Sequence, residues 1–94
     1  MKELASLRAV VHGRVQGVYF RAYVAERARE LGVYGYVRNM PDGTSVEVVA
    51  EGEKTVLEKL LDYLKTGPPA AMVIKVETEW SEYSGNFSGF KIKY

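Results

Sequence analysis

The chain has 94 residues, of which 47% are hydrophobic and 27% charged, and its formal net charge is +1. That length suits one domain rather than two, and the near-neutral balance lacks the basic footprint of a dedicated nucleic-acid binder. The absence of cysteine excludes disulfides, thiolate metal sites and any phosphatase that attacks through a cysteine.

The opening Met1-Lys2-Glu3-Leu4-Ala5-Ser6 has no apolar core of signal-peptide length, and no apolar run reaches membrane-spanning length. The expectation is therefore one cytoplasmic, soluble domain over residues 1–94, monomeric in size, with a dimer left open. Leu7, Ala9 and Val11 alternate with Arg8 and His12, which predicts a strand. Two glycines interrupt the alternation in Gly13-Arg14-Val15-Gln16-Gly17-Val18. From Phe20 the spacing turns helical, with Phe20, Val24, Ala28 and Leu31 on one face, and Gly32 supplies the stop.

Val33 to Asn39 is rich in Tyr and Val and predicts a second strand. Met40-Pro41-Asp42-Gly43 is a hairpin turn by composition, with Asp42 and Gly43 assigned to turn structure alone. In the third strand Val46, Val48 and Ala50 alternate with Ser45, Glu47, Val49 and Glu51, so the outer face is expected to be half acidic. Val56, Leu57, Leu60, Leu61 and Leu64 form a helical stripe ended by Gly67-Pro68-Pro69. Ile74, Val76, Thr78 and Trp80 alternate with Lys75, Glu77 and Glu79 in a fourth strand. After a polar loop over Ser81 to Ser88, Phe90, Ile92 and Tyr94 alternate with Lys91 and Lys93 in a short last one. The order is β-α-β-β-α-β with an extra strand at the end, an α+β ferredoxin-like sandwich whose mainly antiparallel sheet carries two helices on one face. That fold hosts many unrelated activities and decides nothing about function.

Two segments carry chemistry. Gly13 to Arg21 leaves a strand, passes a glycine-bearing loop and enters a helix. Such a loop turns backbone N–H groups inward as an anion cradle, and the helix N-terminus adds partial positive charge. Arg21 stands in the first helical turn, where a cation is disfavoured by about 0.3–1 kcal/mol unless an anion compensates it. A bound phosphate reverses the sign, because a guanidinium forks onto two phosphate oxygens. The loop lacks the Gly-Lys-Ser/Thr ending of a nucleotide-binding loop. In the second segment, Gly35 to Gly43, Asn39 shares the parity of Val37 and ends an apolar row with a carboxamide that both donates and accepts. The first two strands are separated by the third in this fold, so spacing alone leaves open whether Asn39 faces Arg21.

Gly13-Arg14-Val15-Gln16-Gly17-Val18-Tyr19-Phe20-Arg21 resembles the acylphosphatase signature Gly-x-Val-Gln-Gly-Val-x-Phe-Arg at every specified position. Gly35-Tyr36-Val37-Arg38-Asn39-Met40-Pro41-Asp42-Gly43 resembles the family's second signature, Gly-x-Val-x-Asn-x-x-Asp-Gly. The likeness extends over nearly the whole chain. It implies hydrolysis of acyl phosphates to a carboxylate and inorganic phosphate, with no cofactor and no metal. Arg21 would bind the phosphoryl group, Asn39 would position the water, and the amides of Val15, Gln16, Gly17, Val18, Tyr19 and Phe20 would complete the cradle.

Other readings compete. His12, the single histidine, is read as a structural strand residue, and Tyr19, Tyr34 and Tyr36 as packing residues. RNA-recognition domains share this element order but place basic and aromatic residues on the third strand. Here that strand reads Ser45-Val46-Glu47-Val48-Val49-Ala50-Glu51, so nucleic acid is not an expected partner. A domain of the same family that binds an anion or a partner without turnover is the remaining alternative.

Overall fold

Alternation of period two puts Leu7, Ala9 and Val11 on one side of their strand, and Val46, Val48 and Ala50 on one side of theirs; all six are fully buried. The computed structural model describes residues 2–94 and arranges them as β1 (Leu4–Arg14), α1 (Phe20–Leu31), β2 (Tyr34–Asn39), β3 (Ser45–Glu53), α2 (Lys54–Thr66), β4 (Met72–Ser81) and β5 (Phe90–Lys93). The five strands form one sheet in the order β4-β1-β3-β2-β5. Its pairs are antiparallel except β2 with β5, which is parallel. This is the expected ferredoxin-like architecture, with β3 between the first two strands. None of the helices is long and apolar enough to cross a membrane, among the described residues.

Both helices press their apolar stripes onto the same sheet face. Phe20, Val24 and Ala28 of α1 and Leu57, Leu60 and Leu64 of α2 join the sheet side chains and Val37 in one core. Each such leucine contributes on the order of 1.5–3 kcal/mol by leaving water. Gly32 ends α1 at φ 73°. Around it the Gly32 N–H donates to the Arg29 carbonyl, and the Val33 N–H to the Ala28 carbonyl at 3.1 Å, so two carbonyls of the last turn are satisfied.

Two expectations need correcting. Ile74 does not share the inward row of Val76. The β1–β4 register runs from His12 opposite Lys75 directly to Gly13 opposite Val73, which makes Ile74 an extra residue, 76% exposed. Past this bulge the parity reverses, as an inserted residue requires, and Val73 turns to the core. Gly13 lies at φ 135° opposite the irregularity, and a Cβ there would run into the Met72 carbonyl oxygen.

The second correction concerns the face away from the helices. Glu47 and Glu51 lie on it but are only 4% and 3% exposed. Arg8 Nε and Arg38 Nε close on the Glu47 carboxylate at 2.7 and 2.6 Å, and the Tyr36 hydroxyl donates to it at 3.2 Å. Burial pushes the Glu47 carboxyl up, but hydrogen bonds and charge from Arg38 and Arg8 outweigh it and hold the group below its ordinary range. The loop between β4 and β5 folds back over Glu51, which accepts hydrogen bonds from the Ser84 N–H at 3.0 Å, the Ser84 hydroxyl at 2.8 Å and the Gly85 N–H at 2.9 Å. Desolvation of Glu51 is thereby outweighed by the Ser84 and Gly85 donors, and its carboxyl is also held low. These carboxylates are internal anchors rather than an acidic outer surface.

Candidate active site

The residues between β1 and α1 cannot continue either element. Gly17 turns the backbone to φ 72° and Tyr19 to φ 60°, two left-handed steps that bracket Val18 and deliver the chain to the first turn of α1. Left-handed geometry is free to glycine and costs a tyrosine roughly 1–2 kcal/mol. Tyr19 occupies the N-cap position, yet no side chain caps the helix and its first turn holds no acidic residue. A helix begins with N–H groups that have no intrahelical partner, so the amides at the start of α1 keep their capacity to bind an anion.

Gln16 ties this loop to the hairpin on the far side of the site. Its Nε2 donates to the carbonyls of Met40 and Ser45, both at 2.9 Å. The hairpin is closed by the Asp42 carboxylate, which accepts from the Thr44 N–H at 2.9 Å and the Ser45 hydroxyl at 2.7 Å. Those two donors, the hydroxyl foremost, hold the Asp42 carboxyl below its usual value, in keeping with a role in the turn.

Between loop and hairpin lies a cleft of about 430 Å³ lined by Val15, Gly17, Tyr19, Phe20, Arg21, Ala22, Asn39, Ile92 and Tyr94. Arg21 and Asn39, 18 positions apart on α1 and β2, therefore border the same space, although the strands that lead to them are not neighbours. Both are half-buried. Of the other loop residues, Val15 and Phe20 are buried at 1% exposure and form the floor. The Gln16 side chain faces the hairpin, and Val18 packs against the core.

Arg21 is positioned from the opposite wall. Its guanidinium carbon lies 4.8 Å from the centroid of the Tyr94 ring, and Nη1 makes a long hydrogen bond of 3.5 Å to the Lys93 carbonyl. A guanidinium held over an aromatic face keeps its charge and most of its donors free. Among the described residues no three His, Cys, Asp or Glu side chains converge in a metal-binding group. The positive charge presented to the cleft is the arginine's own.

His12 lies outside the lining, with Nε2 2.6 Å from Glu77 Oε1 across the β1–β4 pair. Tyr36 packs against Phe87 at 6.2 Å between ring centroids. Tyr19 differs from its expectation: it is 85% exposed and stands at the cleft mouth instead of packing. Ile92 and Tyr94 joined the site only in three dimensions, because no spacing in the chain links the last strand to the first helix, whereas Ala22 simply follows Arg21 in α1.

The fold and cleft can be set against known proteins. A family model described as acylphosphatase matches residues 7–92. An acylphosphatase of Dehalococcoides mccartyi is 51% identical over 88 residues, which cover 94% of this chain and 97% of that one. One from Pelotomaculum thermopropionicum is 51% identical over 90 residues, with 96% and 97% covered. Among solved structures, the crystal structure of acylphosphatase from Bacillus subtilis matches with a TM-score of 0.91 at 35% identity, over 98% of this chain and 100% of that one. Likeness that runs the length of both partners, in sequence and in backbone alike, makes this chain a member of the acylphosphatase family.

Proposed function

We propose that this hydrolase splits acyl phosphates by in-line attack of water, with Arg21 and the amides of residues 15–20 holding the phosphoryl group and Asn39 holding the water. Family membership carries the coarser statement, a substrate that is an acyl phosphate and a product that is inorganic phosphate. The observation that best supports the finer one is the meeting of Arg21 and Asn39 at a single cleft that the loop leading into α1 also lines.

In this mechanism the water oxygen bonds to phosphorus as the bond from phosphorus to the acyl oxygen breaks. The electron pair of that bond departs on the carboxylate. Carboxylic acids have pKa values near ~4, so the leaving group needs no proton at neutral pH. The proton of the attacking water passes to a phosphoryl oxygen. Phosphoryl transfer proceeds through a loose transition state in which positioning and charge stabilisation do most of the catalysis. Arg21 and the uncapped amides of the first turn meet the charge on the equatorial oxygens, and the bound anion offsets the unfavourable placement of Arg21 at a helix N-terminus. The Asn39 carboxamide accepts from the water and fixes its line of approach.

Hydrolysis of benzoyl phosphate in metal-free buffer tests the proposal on the parent, Arg21→Ala and Asn39→Ala. Loss of one well-placed donor lowers kcat by about 10²–10³, and both variants should fall by that order while keeping their fold. Turnover that survives Asn39→Ala would remove the water-holding role. A parent without activity would remove the hydrolytic mechanism altogether.

A further inference from the structure

A carboxamide that aims a water must itself be held still. The side-chain hydrogen bonds at the hairpin run through Gln16, Asp42, Thr44 and Ser45, and none of them reaches the Asn39 carboxamide. Its place therefore follows from the backbone of β2. Asn39 is the last residue of that strand, and the β2–β3 pairing ends with it opposite Val46. The pair immediately before is Arg38 opposite Glu47, so whatever fixes Arg38 also fixes the backbone on which Asn39 is mounted.

The Glu47 carboxylate is 4% exposed and has no part in the chemistry of the hydrolysis. Its Oε1 accepts from Arg38 Nε at 2.6 Å and its Oε2 from Arg8 Nε at 2.7 Å. Arg8 belongs to β1, the strand that runs into the phosphate loop, and β3 keeps β1 and β2 apart. One buried carboxylate thus ties together the two strands that deliver the halves of the site, one row behind Asn39. Charge-assisted bonds of this length are strong and directional, and stripping a buried charge of its partner is costly. Glu51 offers the comparison. It is as deeply buried on the same face, at 3% exposure, but it stands opposite Tyr34, at the end of β2 far from Asn39.

We propose that Glu47, acting through Arg38, is a positioning residue that holds the end of β2 so that the Asn39 carboxamide meets the attacking water in line. The inference rests on the water-holding role of Asn39 in the hydrolytic reading. Its sign separates it from a charge effect. Removing the Glu47 carboxylate raises the positive charge near a site for an anion, which by charge alone favours phosphoryl binding. Loss of position instead lowers kcat, because displacement of a reacting group by about 1 Å costs on the order of 10² in rate.

The test measures kcat for benzoyl phosphate and the competitive inhibition constant of inorganic phosphate, each at a temperature where the protein is folded. It compares the parent with Glu47→Ala, Arg38→Gln, Glu51→Ala and Asn39→Ala. In Glu47→Ala and Arg38→Gln, kcat should fall about 10- to 100-fold while the phosphate constant stays within about twofold of the parent. Glu51→Ala, which also removes a buried carboxylate, should keep both parental values. Adding Glu47→Ala to Asn39→Ala should cost less than about twofold more, because a residue that acts through another is not additive with it. Parental kcat in folded Glu47→Ala and Arg38→Gln, beside a collapsed Asn39→Ala, overturns this inference and leaves the hydrolytic reading standing. An equal fall in Glu47→Ala and Glu51→Ala, or full additivity with Asn39→Ala, overturns it as well, since either marks a general loosening of the sheet. Turnover that survives Asn39→Ala overturns the water-holding reading itself and this inference with it. If Glu47→Ala does not fold, Arg38→Gln decides alone: the Arg38 side chain is 38% exposed, and its loss leaves Glu47 bound to Arg8.

Discussion

Replacing Gln16 with alanine separates the stability of the site from its geometry. The substitution removes two hydrogen bonds from Nε2, to the Met40 and Ser45 carbonyls. Neither carbonyl is orphaned, because the Ser45 carbonyl also accepts the Met40 N–H at 2.9 Å and the Met40 carbonyl the Gly43 N–H at 3.3 Å. With no buried group left bare, the loss is the net value of two bonds, about 1–2 kcal/mol. For a domain of this size each kcal/mol moves Tm by about 4–8 °C. The catalytic effect should be larger than that loss suggests. Gln16 joins the loop beside Arg21 to the hairpin that begins next to Asn39, and displacement of a reacting group by about 1 Å costs on the order of 10² in rate. Urea unfolding followed through Trp80 fluorescence, beside benzoyl phosphate hydrolysis, should therefore find a folded Gln16→Ala whose kcat/KM is reduced about 10- to 100-fold. A variant that loses the stated stability yet keeps its full kcat/KM would refute the idea that this side chain sets the distance across the cleft.

Three further outcomes follow from the packing. Leu60→Ala, at a fully buried position of α2, should lower unfolding free energy by about 2–5 kcal/mol in the same urea assay. Gly13→Ala meets both the positive φ and the Met72 carbonyl oxygen, so it should cost more than about 1 kcal/mol, the ordinary scale of a misplaced alanine, and reduce soluble yield. Glu47 and Glu51 are both held below their ordinary value of 4.5 in the fold, so the unfolded chain binds more protons than the folded one in acid. Their contribution is fully present above that value and is lost as pH falls through the lower folded-state pKa values. The urea midpoint should drop on acidification below about pH 4.5, and Glu51→Gln should start lower at neutral pH and fall less.

The element order was legible because period-two and helical spacings are each carried by residues only a few positions apart. Both helices and four of the strands follow the apolar rows that the chain displays. The bulge at Ile74 was not legible, since an inserted residue leaves the local alternation looking regular and only its partner at Gly13 reveals it. Glu47 and Glu51 were misread for a related reason. Parity states which face a residue occupies but not whether something covers that face, and their partners Arg8 and Ser84 lie 39 and 33 positions away. At the cleft, the two motifs name Arg21 and Asn39, while their approach depends on β3 filling the gap between β1 and β2. Ile92 enters through the parallel pairing of β5 with β2, and Tyr94 follows directly after that strand, an arrangement that no short-range pattern encodes.

The irregularity opposite Gly13 has a consequence at the rim of the molecule. β4 is an outer strand, and a long regular outer strand offers its unpaired backbone groups as a template for a strand from another molecule. The extra residue at 74 interrupts that template and changes its twist. Of the stretch that continues beyond it, Lys75, Glu77 and Glu79 project charges away from the core side. A visiting strand would find no continuous ladder to extend and would have to settle its own side chains among those charges. One inserted residue thus shortens the regular template that an open sheet edge would otherwise present.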